Sequence, residues 1–244
     1  MTSSTPKETP GAKMIYLIKC RSTATREQLI AHWFANHMPP TIARMEHNRE
    51  AGKLHATRYV ATLFDPRADK PQAWDGMANL WYEEVPPPPP IPHGTEPTDT
   101  FQEIAEPYHP WATREYLAMD GALPLEPPTL DPPFPCTRSG FFKVTFLVSL
   151  QQGADRDALF AHWLDVHIPN VRQTMAAVGG FRYAVSHSLE PETEPYVGMA
   201  ELYFANASGW ARYRAHIRPD GMQEWVDAER LLIFNSGTEM VGIA

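Results

Sequence analysis

Apolar runs of strand length and apolar positions at helical spacing alternate along this chain, and the alternation occurs twice. Residues 14–19, MIYLIK, form a strand-length apolar run. Thr25 then stands three residues before Gln28, the pattern of a capping box, and opens a helix predicted over residues 26–37. Pro39 disfavours helical geometry at Met38, so the helix is expected to end or kink there. Residues 58–64 and 78–83 read as the second and third strands, and residues 101–119 have helical character broken by Pro107 and Pro110. The second half repeats the order: a strand at 141–150, a cap at Asp155, a helix at 156–167 and a strand at 181–189. A helical region at 210–230 and a fourth strand at 231–234 follow.

The repeat is visible residue by residue. REQLIAHWFANHMP at 26–39 and RDALFAHWLDVHIP at 156–169 agree at seven of fourteen positions. Unrelated stretches would share about one by composition alone. Arg58-Tyr59 returns as Arg182-Tyr183, and Gly76-Met77-Ala78-x-Leu80 as Gly198-Met199-Ala200-x-Leu202. The offset between halves falls from 130 at the helix to 124 at the second strand and 122 at the third. Length therefore varies in the loops while the elements persist. Each half reads β-α-β-β-α-β, the ferredoxin-like order. The expected fold is α+β: two ferredoxin-like repeats whose antiparallel sheets pack as a fused barrel, forming internally what single-unit proteins form by dimerising. A homodimer of the whole chain is left open.

Proline changes the picture locally. There are 25, clustered at 84–97, read as an insertion in the first repeat, and at 124–135. The expected organisation is a mobile tail at 1–13, repeat 1 at 14–123, a stiff linker at 124–138 and repeat 2 at 139–244. The 244 residues carry a net charge of −8, and no basic run suits nucleic acid. No apolar stretch approaches a membrane span or a secretory leader, and two cysteines at non-equivalent places do not suggest a disulfide framework. A reducing cytoplasm is the expected compartment.

Leu29, Trp33 and His37 share one helical stripe at i, i+4, i+8, and Leu159, Trp163 and His167 share its counterpart. Each His stands where the helix dipole favours protonated imidazole, and can serve as a general acid or base. Alternatively it ties the helix end to a backbone carbonyl. Trp33 and Trp163 read as core before site. His32 and His162 turn away from the stripe. Of Arg58-Tyr59 and Arg182-Tyr183, only one member of each pair can face the helices. No phosphate loop, His-Glu-x-x-His, Cys-x-x-Cys or Gly-x-Ser-x-Gly occurs, so neither a metal nor a cofactor is expected.

Leu-x-x-x-Trp-x-x-x-His-x-Pro after a strand resembles the EthD-domain group of the dimeric α+β barrel superfamily. It is filled by Leu29, Trp33, His37 and Pro39, and again by Leu159, Trp163, His167 and Pro169. The resemblance implies a pocket between helices and sheet, and relatives that are monooxygenases, isomerases, decarboxylases or cyclases. Other tandem barrels of the superfamily bind haem. The expected function is a small-molecule enzyme without a bound cofactor, acting in an apolar pocket on an aromatic, polycyclic or polyketide-like ketone, phenol or lactone. The chemistry is lyase- or isomerase-type, with His167 favoured over His37 because the second half is shorter. A cofactor-independent or haem-dependent monooxygenase is the alternative within enzymology, and a non-catalytic binding protein the one outside it.

Overall fold

The computed structural model describes residues 6–67, 71–125, 134–190 and 192–244. Its strands and helices are, in order, β1 (Lys7–Glu8), β2 (Ala12–Ile18), α1 (Arg26–His32), α2 (Met38–Glu50), β3 (Ala56–Leu63), β4 (Gly76–Tyr82), α3 (Thr100–Ile104), β5 (Pro110–Asp120) and β6 (Cys136–Arg138). There follow β7 (Phe142–Val148), α4 (Arg156–His162), α5 (Ile168–Val178), β8 (Gly180–Ser188), β9 (Gly198–Phe204), α6 (Ala207–His216), β10 (Leu232–Ser236) and β11 (Thr238–Ile243). No helix among the described residues is long and apolar enough to cross a membrane.

Two compact units result. The first-repeat unit comprises Gly11–Ala112, Leu123–Ser139 and Gly237–Ala244. Its sheet runs β2-β4-β3-β11-β6, antiparallel throughout. The second-repeat unit comprises Met1–Pro10, Thr113–Ala122 and Gly140–Ser236. Its sheet runs β10-β7-β9-β8-β5, with β1 on β5. Each repeat thus keeps its α+β order, but each sheet takes in a strand from beyond its own repeat: β11, at the chain's end, pairs with β3, while residues 113–120 of β5 pair with β8. Inside the first-repeat unit β11 is held by a buried ion pair, Arg138 to Glu239 at 2.6 Å. Glu239 also accepts from Thr62.

Three sequence expectations need correction. The 101–119 region is helical only over Thr100–Ile104, and from Pro110 it is strand. Trp111, Thr113 and Glu115 are buried in alternation, a period of two. The 210–230 helix ends at His216, ahead of Pro219. The tail contributes β1 and the start of β2, while residues 1–5 and most of the second proline cluster (126–133) lie outside the described residues.

The fourth departure places the site. The helix does not stop at Met38; it continues to Glu50 through a π-helical turn at Trp33–His37. There the Met38 N–H donates to the Trp33 carbonyl, five residues back. The wider turn makes Met38 and Pro39 the first residues of a new helix, where a missing N–H leaves no bond unmade. The second repeat does the same over Trp163–His167, with the Ile168 N–H on Trp163 O. Both turns carry the Trp and the His of the repeated signature.

Each unit has one principal core between helices and sheet. In the first it gathers Leu29, Trp33, Ile42, Tyr59, Leu80 and Phe101; in the second Leu159, Trp163, Val171, Tyr183, Phe204 and Tyr213. The repeated glycines belong to it. A Cβ on Gly76 would stand 3.0 Å from the Trp33 ring, and one on Gly198 2.9 Å from Trp163. The Gly-Met-Ala signature therefore makes room for the buried indole.

Candidate active site

In the first repeat His37 leaves the π turn with its ring against Phe101, centroids 4.6 Å apart. Its Nδ1 lies 2.7 Å from Asp99 Oδ2. Asp99 is the N-cap of α3, and its Oδ1 accepts from the Gln102 N–H at 2.9 Å. Each carboxylate oxygen thus has its own donor. Burial pushes the Asp99 carboxyl up, but the bonds from His37 and the helix N–H groups outweigh it, and it sits below the usual carboxylate range. An ionised carboxylate only accepts, so Nδ1 carries the proton. Nε2 of the neutral ring is then a base.

His37 lines a cavity of about 500 Å³, a size that suits a small organic ligand. Trp33, Ile18, Leu80 and Phe101 give it apolar walls, and Tyr16, Tyr59, Tyr82 and Tyr108 add phenols. Burial, foremost, raises all four: Tyr108 to about 12 and Tyr16 and Tyr59 further. They are therefore neutral donors at ordinary pH. Tyr59 is fixed from below, its oxygen 3.1 Å from Trp33 Nε1. His93 is driven down by burial and then by the Arg44 charge, which keeps its ring neutral. Arg44 and Thr41 line the same space from α2.

The remaining wall is the proline cluster. Residues 89–92, Pro-Pro-Ile-Pro, line the cavity. Pro86, Pro89 and Pro92 are half-buried while the residues between them are exposed, the three-residue period of polyproline II. The strap is anchored where His93 and Tyr108 exchange backbone bonds of 2.9 and 3.0 Å. It is a replacement more than an insertion: residues 83–98 stand between β4 and Asp99 where residues 205–219 stand between β9 and Asp220.

The second repeat repeats the pair of groups and fills the space differently. His167 Nδ1 lies 2.8 Å from Asp220 Oδ2, which also accepts from Asn170. Burial pushes Asp220 up, but these bonds overcome it and hold it far below its usual range. Where the first repeat has the strap, α6 lays Trp210 and Tyr213 on Phe204, at 6.0 and 5.8 Å.

Of the residues the sequence points to, His37, Trp33 and Tyr59 come together on the cavity. Trp163 and Tyr183 are core beside His167. Arg58 and Arg182 are not brought to either helix-side space: Arg58 stacks on Trp81, 4.5 Å from its ring, and Arg182 pairs with Asp120 at 2.7 Å. His32 faces Thr100 at 2.7 Å, away from the cavity. Sequence reasoning misses Asp99, Asp220, Arg44 and the phenols of Tyr16 and Tyr108. The two aspartates have a signal: they lie 121 residues apart, one step on from the falling offsets of the repeat. Among the described residues no three His, Cys, Asp or Glu side chains form a metal-binding group.

Residues 151–229 match the EthD domain model. No curated protein matches this chain. A solved anthrone oxidase-like protein is 14% identical, with a TM-score of 0.51 over 99% of this chain and 93% of its own. A heme-binding protein from Thermus thermophilus is 11% identical, over 98% and 94%, at 0.45. A mutant chlorite dismutase from Candidatus Nitrospira defluvii is 7% identical, over 93% and 92%, at 0.45. At such identities likeness concerns the fold alone, which is α+β with antiparallel sheets.

Proposed function

From a chain whose second repeat matches the EthD domain model, we propose that the first repeat holds the working site of a small-molecule enzyme. The observation that carries this is a His–Asp pair 2.7 Å apart on the wall of a cavity of about 500 Å³. His37 is the general acid/base and Asp99 the positioning residue that fixes its tautomer. The substrate is an aromatic or polyketide-like ketone, phenol or lactone, matched to walls of Trp33, Phe101 and Leu80.

The step is proton transfer next to a carbonyl. His37 Nε2 takes the proton from carbon, and the C–H electron pair moves into the carbonyl system as an enolate. A neutral tyrosine of the wall donates a hydrogen bond to the enolate oxygen. Return of the proton to a different carbon gives isomerisation, and its transfer to a departing β-hydroxyl gives dehydration. The same groups serve two related steps in which the enolate forms from a C–C bond instead: CO2 leaves a β-keto acid, or His37 takes the O–H proton of a β-hydroxy ketone and the carbonyl fragment departs. In each the C–C electron pair stays on the substrate as an enolate that the protonated imidazole then protonates at carbon. Asp99 stabilises the imidazolium throughout, without itself becoming protonated.

The test is turnover of a panel of such ketones, phenols and lactones, read by mass and by exchange of carbon-bound deuterium. His37→Gln should lower kcat/KM for any compound turned over by about 100-fold or more, and Asp99→Asn by at least about tenfold. Undiminished turnover by His37→Gln would overturn the reading.

A further inference from the structure

We propose that the cavity at His37 takes its ligand as an anion, a planar apolar molecule whose one ionised oxygen group, phenolate or carboxylate, is held by Arg44. The proposal concerns the same cavity as the proton-transfer reading and rests on it for the site, though not for the chemistry.

Arg44 lines the cavity from α2 and pairs with no carboxylate among the described residues. The two acidic residues on the wall do not meet that charge. Asp99 is bonded to His37, and Glu96, solvent-exposed like Arg44, forms no ion pair with it among the described residues. The Arg44 charge is felt by Tyr82, Tyr108 and the neutral His93, and neutral phenols donate to an oxyanion. An arginine left unpaired next to a set of donors is a receptor for negative charge.

The second repeat is an internal control. At the matched positions Arg44 becomes Thr174, Tyr16 becomes Phe146, Tyr82 becomes Phe204 and Thr41 becomes Val171. The register supports the match: Tyr16 pairs with Ala78 and Phe146 with Ala200, positions the repeat itself equates. The His–Asp pair and the phenol of Tyr59 and Tyr183 survive in both repeats, while Arg44, Thr41 and the hydroxyls of Tyr16 and Tyr82 occur in one. The fold therefore does not need those groups, and a ligand is the remaining reason for them.

The probe is 4-nitrophenol, whose neutral and ionised forms absorb differently, titrated with the intact protein at a pH below its own ionisation. 4-Nitrobenzoate and phenyltrimethylammonium are the companion ligands. Binding should shift the nitrophenol towards its phenolate band, equivalent to about tenfold tighter binding of the ionised form. Arg44→Thr, which installs the second repeat's own residue, should abolish that preference and weaken the phenolate or carboxylate about tenfold; Arg44→Lys should keep part of it. Tighter nitrobenzoate than nitrophenolate identifies the carboxylate as the preferred anion, and the reverse identifies the phenolate. Equal affinity for neutral and ionised forms, an undiminished preference in Arg44→Thr, or tighter binding of the ammonium ligand overturns the proposal. So does a phenolate band that vanishes in His37→Gln and persists in Arg44→Thr, a result that leaves the proton-transfer reading standing. Conversely, full turnover by His37→Gln sinks that reading and leaves the anion preference to be judged on binding alone.

Discussion

The two repeats start from one plan and part company in the stretch between the third strand and the aspartate. There the second repeat runs ANASGWARYRAHIRP and folds most of it as α6; the first runs EEVPPPPPIPHGTEPT and cannot. A helix brings Trp210 and Tyr213 down onto Phe204, in the core over the sheet. A polyproline strap has no such inward side chains to offer, and beneath it lies a cavity of about 500 Å³. The comparison separates two roles that the sequence motif merges. A His bonded to an Asp occurs in both repeats, at 2.7 and 2.8 Å, and in both it fastens the π turn to the segment beyond the third strand. The pair by itself is therefore architecture. On the function we propose, it becomes chemistry where a cavity meets it.

The largest effect should come from the histidines. His37→Gln should cost about 100- to 10,000-fold in kcat/KM, the usual contribution of a general acid or base, and His167→Gln only a few-fold. Equal losses would mean that the second repeat also turns substrate over, or that both histidines act only by holding the fold. Thermal unfolding of the two variants separates these, since a purely structural pair would lose stability and activity in step.

Next is the packing contrast. Tyr213 is 6% exposed and Tyr108 8%, but Tyr213 sits in a filled core and Tyr108 on a cavity wall. Tyr213→Ala should cost about 3–5 kcal/mol, as a large aromatic removed from a packed interior does. Tyr108→Ala should cost about 1–2 kcal/mol less, because part of its ring already faces open space. Urea unfolding monitored by circular dichroism gives both values. The same cost at both sites would contradict the difference in filling.

How much of this the sequence discloses depends on distance along the chain. The capping box at Thr25, the π-turn residues Trp33 and His37 and the repeated glycines lie within local patterns, and the duplication shows them twice. Strand exchange does not show, because β11 is short and its pairing with β3 spans most of the chain, which periodicity cannot register. The sequence predicts a helix end or kink at Pro39 because the interior of an α-helix has no place for that ring, and a π turn supplies one. The preference for His167 treats the shorter repeat as the open one. In the first repeat the proline stretch replaces a helix of nearly equal length instead of adding a plug, and a cavity of about 500 Å³ lies at His37.

Acid should distinguish the two aspartates. Both have folded pKa values below the ordinary one, so each contributes stability that is present above about pH 4 and lost as pH falls through the folded value. Asp220 is held lower, with Asn170 as an added donor. The stability gap between wild type and Asp220→Asn should therefore narrow on acidification, and narrow more than the gap for Asp99→Asn. Urea midpoints followed from neutral pH downward check this. A gap that does not change with pH would show that neither carboxylate gains from its partners.

The smallest effect concerns the caps that start the two site helices. Thr25 accepts from the Gln28 N–H, and Gln28 Oε1 accepts in return from the Thr25 N–H at 2.8 Å. Asp155 accepts from two N–H groups, at 2.9 and 3.0 Å, and adds a negative charge at a helix start. Each cap satisfies two backbone donors, by different chemistry, so Thr25→Ala and Asp155→Ala should each cost about 1 kcal/mol. Asp155→Ala should lose part of its effect in high salt, which screens a charge and leaves a neutral box unchanged. Since both caps lie a full helix away from the π turns, neither substitution should alter kcat. A change in kcat for Thr25→Ala alone would mean that the first helix shifts as a body, carrying His37 with it, and that the cavity is less rigidly built than the core of its twin.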